Sequence, residues 1–152
     1  MIYAGAWYLQ DFLWVLTNGK AIVPELFLMA LVIRALGNEG RGVEVLWAAF
    51  LGGMLWDLRW VGFPGLSSLF YVVTILMSRW AWFALPQSGR TPPLFGAALW
   101  AAFFPISAVR NFLGGARGAG ILTTYFLQQS YLLPLVLLAS LAYAWKLKNT
   151  DV

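Results

Sequence analysis

The chain has 152 residues, 61% hydrophobic and 11% charged, with a net charge of +4 and a mean hydropathy of +0.75. Soluble domains are nearer half apolar and a quarter charged, so the composition reads as a single multi-pass membrane domain over residues 1–152. There is no cysteine and no histidine, which excludes Cys/His zinc sites, thiol redox chemistry and Ser-His-Asp catalysis. The small basic excess reports loop charge rather than nucleic-acid binding.

A spanning helix needs about 20 residues, and apolar runs between charged or turn-forming clusters predict six of them, at roughly 2–17, 22–37, 43–57, 64–85, 92–111 and 119–146. The first carries Gln10 and Asp11 in its middle, and no basic region precedes it, so no cleaved signal peptide is expected. Thr17-Asn18-Gly19-Lys20 is a turn cluster that separates it from the second. A glycine-rich polar loop from Gly37 to Gly42 leads to the third, and a charged turn from Arg59 to Pro64 follows. Pro86 to Pro93 forms the longest loop, whose last prolines suit the first turn of the fifth helix. Gly114 to Gly118 links to the sixth segment, where Pro134 is expected to kink or divide the helix. The fold class is therefore an all-α integral membrane bundle of about six transmembrane helices.

Lysines and arginines set the orientation. Six spans put Arg34, Arg41, Arg79, Arg90, Lys146 and Lys148 on one side and Lys20, Arg59, Arg110 and Arg117 on the other, which places both termini in the cytoplasm. Trp56, Trp60, Trp80, Trp82 and Trp145 fall near span ends and read as interfacial anchors.

Several residue sets ask for a physical account. Ala48, Ala49, Gly52 and Gly53 on the third helix, and Ala97/Ala101 with Ala98/Ala102 on the fifth, are small-xxx-small patterns that let another backbone approach closely. They serve either packing inside this bundle or docking of a partner's helix. Asp11 is costly in a span. It is either clasped internally, by Gln10, Gln128 or Gln129, or turned to a partner or ligand. Thr124, Gln128 and Tyr131 share one helical face and form either a polar seam or part of a cavity lining. Asp57 closes the third helix, where its charge opposes the helix dipole. Arg110 or free backbone N–H groups at residues 64–67 would satisfy it, with Gly65 allowing the approach. No nucleophile stands beside a base, so the chain reads as a non-enzyme that needs no cofactor and no metal.

These features add up to a resemblance. Leu9-Gln10, Pro24-Glu25-Leu26, Gly42, Gly52-Gly53-Met54-Leu55-Trp56-Asp57 and Gly65-Leu66-Ser67-Ser68-Leu69 stand in the order seen in the rod shape-determining membrane protein D family, MreD. The run from Leu9 to Arg79 resembles it, with Glu25 where the family usually has Asp and Asp11 where a neutral residue is usual. The resemblance implies a bacterial inner-membrane subunit of the cell-elongation machinery. Such a subunit binds the bitopic scaffold MreC and, through it, bears on the SEDS-type glycan polymerase, its partner transpeptidase and the MreB filament. The family is also similar to the substrate-binding S-components of energy-coupling-factor transporters. The alternative expectation is therefore a vitamin-capturing transporter subunit.

Overall fold

The computed structural model describes residues 2–17, 23–113 and 120–150. Among these residues the chain is helical and turn, with no strand. Its six α-helices are α1 (Ile2–Leu16), α2 (Leu26–Gly37), α3 (Gly42–Trp56), α4 (Leu66–Ala84), α5 (Pro92–Leu113) and α6 (Gly120–Thr150). They sit where the apolar runs lie in the sequence. Three of them contain stretches long and apolar enough to cross a membrane: Leu66–Ala84, Pro92–Val109 and Tyr125–Asn149. α1, α2 and α3 are shorter, at 15, 12 and 15 residues.

Side-chain contacts establish how the helices run. Tyr3 donates to Glu44 near the start of α3, Trp7 donates to the Gly52 carbonyl at mid-helix, and Asp11 meets Arg59 and Trp60 beyond its end. α1 and α3 are therefore parallel. At the end of the bundle that holds Tyr3 and Glu44, Arg79 of α4 reaches the C-terminus of α2. Its guanidinium donates to the carbonyls of Ala35 (2.7 Å), Asn38 (3.3 Å) and Glu39 (2.7 Å). Lys146 of α6 donates to Gly37 O there, and Ser140 to Pro92 O. Orphan carbonyls at a helix end need such donors, and cations suit that end of the dipole. Successive helices thus alternate in direction. Arg34, Arg41, Arg79, Arg90, Lys146 and Lys148 lie toward the same end.

The core centres on α2. Leu28, Leu31, Val32 and Ala35 of α2 meet Val45 and Ala49 of α3, Tyr71 and Ile75 of α4, and Phe95, Leu99 and Phe103 of α5. A helix apolar all round belongs inside a bundle, and α2 packs against α1, α3, α4 and α5. α6 packs chiefly on α5, through Leu132 and Val136. Its remaining surface carries exposed Leu137, Leu138, Leu141 and Trp145. Exposed leucines and aromatics cover α1, α3 and α4 as well, an apolar exterior suited to lipid rather than water.

Three expectations are corrected here. Of the kink or break expected at Pro134, the break does not occur: α6 runs through it, as α5 runs through Pro105, which membrane helices tolerate. Trp56 and Trp82 are not interfacial anchors but core residues, 3% and 2% exposed. Trp56 packs among Trp7, Trp14 and Trp60, and Trp82 among Phe95 and Tyr143. Trp80 and Trp145 do face outward, at 72% and 70%. Finally, the charged turn after α3 is not a simple loop. Residues Asp57–Val61 continue the helix as a π turn, closed by Gly62 N–H donating to Asp57 O at 2.8 Å. Gly62 then leaves it at φ 73°, a left-handed conformation natural to glycine.

Candidate functional site

The residues singled out in the sequence gather at the far end of α3. Asp57 is fully buried. Its Oδ2 accepts from the backbone N–H groups of Gly65 and Ser67, both at 2.9 Å, and Oδ1 accepts from Ser67 at 3.1 Å. Those donors open α4. The charge that opposes the dipole of α3 therefore serves as the N-terminal anion of α4, where it is favourable. Gly65 stands at the cap position with φ 103° and has no side chain to cap with. Asp57 supplies that cap from the preceding helix. Of the two partners weighed for Asp57, the backbone groups at 65–67 are the ones that meet it. The side chain of Arg110 lies outside the described residues, as do Lys20 and Arg117.

The small residues of α3 make that approach possible. A Cβ on Gly53 would stand 2.5 Å from the Ser68 backbone, and one on Gly52 would run into the Phe27 ring. Ser68 Oγ donates to Phe50 O at 2.8 Å, bonding α4 across to α3. Gly52 and Gly53 are thus spent on packing within this bundle, and Gly52 is not free as an outward docking surface. Ala49 is buried beside them and Ala48 is half-buried.

Asp11 is held differently from either internal clasp considered. It pairs with Arg59 Nε at 2.8 Å and accepts from Trp60 Nε1 at 2.9 Å. Arg59 also lies over the Trp60 ring, 5.5 Å from its centroid. The π turn is what delivers both residues to α1: one extra residue in the turn carries Arg59 and Trp60 beyond the straight path of α3. Gln10 does not reach Asp11. Its Oε1 accepts from Phe27 N–H at 2.9 Å, and its Nε2 donates to Glu25 at 3.2 Å. Glu25 also accepts from the Tyr71 hydroxyl at 3.4 Å. This buried Gln10–Glu25–Tyr71 group was not legible in the sequence beyond the Pro24-Glu25-Leu26 helix start. Its members lie 15 and 46 residues apart.

Gln128 and Gln129 are buried at the α5–α6 seam, 8% and 4% exposed, whereas Tyr131 is 60% exposed. The polar stripe on α6 is therefore split between interior and exterior rather than lining one cavity. The side chain of Thr124 lies outside the described residues.

Ala97 and Ala101 stand apart from the other small residues. They are exposed and line a groove of about 680 Å³ between α4 and α5, together with Val73, Met77, Ala81 and Pro105. No protein-family model, curated protein or solved structure matches this chain.

Among the described residues no group of three or more metal-ligating side chains comes together. The carboxylates of the site are committed to architecture. Asp57 ties α3 to α4, Asp11 ties α1 to the π turn, and Glu25 ties α2 to α1 and α4.

Proposed function

We propose that this chain is a non-catalytic inner-membrane scaffold subunit of the bacterial cell-elongation machinery. It acts by presenting a helix face to the transmembrane helix of MreC. Through MreC it supports the glycan polymerase and transpeptidase under the MreB filament. In this reading all six helices lie across the membrane with both termini in the cytoplasm. The π turn extends α3 by five residues beyond its 15, giving it about the length that a span needs. The alternating directions of the helices and the six cations at one end agree with this orientation.

One observation carries the reading. The Gly53-to-Asp57-to-Gly65 set, which carries the resemblance to the rod shape-determining membrane protein D family, forms one structural tie at the α3–α4 junction. A scaffold needs such rigidity, because its role is to hold a face in place. The open small-residue surface is on α4 and α5. Association in lipid is driven by close packing rather than by the hydrophobic effect, and the Ala97/Ala101 groove offers it.

Co-purification with MreC from membranes tests the reading. Ala97→Leu and Ala101→Leu fill the groove from exposed positions. Each should cut MreC recovery severalfold while the protein still inserts at normal levels. Normal recovery with both variants, or failure of the wild-type chain to recover MreC at all, would reject it.

A further inference from the structure

A second concave site lies at the opposite end of the bundle from Asp57, and the scaffold reading does not use it. A cavity of about 360 Å³ opens between the C-terminus of α2, the start of α5 and the last turns of α6. Arg34, Asn38, Arg41 and Lys146 line its polar side, and the rest of its wall is mostly apolar, with Ala142, Phe95 and Tyr143. The last two rings stack in parallel with centroids 4.3 Å apart, so the floor is rigid.

Two of the cations around the cavity, Arg34 and Arg41, are incompletely engaged. Arg34 Nε is buried and has no hydrogen-bond acceptor, although such groups ordinarily find one. Arg41 pairs only loosely with Glu44, at 3.5 Å, and both side chains are about half exposed. Lys146 brings a third positive charge to the rim, where it donates to Gly37 O at 3.3 Å. The other nearby acid is Glu39, and the Arg79 guanidinium is committed to three backbone carbonyls. Positive charge thus faces a space whose other side is mostly hydrocarbon.

A free inorganic anion would use the cations and gain nothing from the wall. An amphiphile with a phosphate at one end and acyl chains at the other uses both. We propose that this cavity binds the phosphate headgroup of an anionic phospholipid. The phosphate lies between Arg34, Arg41 and Lys146, and an acyl chain descends along Ile33 and Ala139. The occupied site clamps α2 to α6, two helices joined at that end by the Lys146–Gly37 contact. Basic pockets between helices at a membrane face suit such headgroups.

Native mass spectrometry on the full chain in neutral detergent tests this, with phosphatidylglycerol and phosphatidylcholine of identical acyl chains as probes. Phosphatidylglycerol should be retained about tenfold better. Arg34→Gln and Lys146→Gln should each weaken that retention about fivefold, the effect of removing one basic contact near a membrane surface. Lys148→Gln, which removes the same charge outside the cavity, should leave it unchanged. If Arg34→Gln does not fold, Arg41→Gln combined with Lys146→Gln decides, since the Arg41 side chain is about half exposed. Equal retention of the two lipids would overturn the proposal, and so would a loss from Lys148→Gln as large as that from the cavity variants. Millimolar inorganic phosphate displacing the lipid and giving the same thermal shift would also overturn it, in favour of a simple anion site.

Discussion

At the scale of single residues, Asp57 shows how one charge can oppose one helix and support the next. Its carboxylate is set against the dipole of α3, yet it meets the free N–H groups of α4 at 2.9 Å. Removing it strands two half-buried backbone donors, which costs about 2 kcal/mol. For a protein of this size that is a loss of roughly 4–8 °C in Tm. Asp57→Ala should show this loss in detergent and, on the proposed scaffold role, rod-shape complementation should fall with it. Asp57→Asn keeps one acceptor oxygen in place and should lose less than half as much. Unchanged stability with lost complementation in Asp57→Ala would make Asp57 a partner contact instead. Legibility at this scale was uneven. The backbone donors at 64–67 were in view as partners because an Asp eight residues before a glycine-led helix is a local pattern. The Asp11–Arg59 pair, 48 positions apart, was out of reach. It depends on a π turn whose extra residue changes which side chains face α1.

At the scale of elements, the α3–α4 seam is set by the absence of side chains. Gly53 lets the Ser68 backbone approach, and Ser68 then bonds to Phe50 O. Ala at position 53 would force the helices apart or strain them, a cost of about 1–3 kcal/mol for overpacking. Gly5 of α1 has nothing within 4 Å of where a Cβ would lie. There the same substitution should be neutral, or stabilising by up to about 1 kcal/mol through helix propensity. Thermal melts of Gly53→Ala and Gly5→Ala in one detergent compare the two directly. Equal melting temperatures would mean that the seam is looser than its geometry. The sequence identifies both small-residue patterns but does not distinguish their uses. The α3 pattern is consumed inside the bundle, while Ala97 and Ala101 of α5 line an open groove. Small residues at helical spacing permit close approach, and only the arrangement of the other helices settles what does the approaching.

At the scale of the whole molecule, the alternating helix directions carry a topology that labelling can read. The chain has no cysteine, so single-cysteine variants report without background. Gln87 lies in the loop before α5, Phe63 in the exposed turn before α4, and Lys148 at the end of α6. In the six-span arrangement, Gln87→Cys and Lys148→Cys label from the cytoplasmic side and Phe63→Cys from the outer side of spheroplasts. Labelling of Gln87 and Phe63 from one side would mean that α4 does not cross. Labelling of Lys148 opposite Gln87 would leave α5 and α6 with only one crossing between them.

Composition and the spacing of apolar runs by themselves determined that this chain is a helical bundle for an apolar solvent, that it has six helices at roughly these places, and which end carries the cations, but not the helix ends: α2 begins at Leu26 rather than 22, and α3 runs on as a π turn to Val61. Those properties depend on hydrophobicity summed over windows of about 20 residues and on glycine, proline and charge at the breaks. Only the tertiary structure decided that Trp56 and Trp82 are core, that Glu25 is clasped by Gln10 and Tyr71, and that Asp11 belongs to Arg59 and Trp60. In a chain this apolar, hydropathy cannot separate a side chain turned to lipid from one turned to a neighbouring helix, because both environments are equally dry. Polar partners are then chosen by which helices lie side by side, and that choice is made by shape.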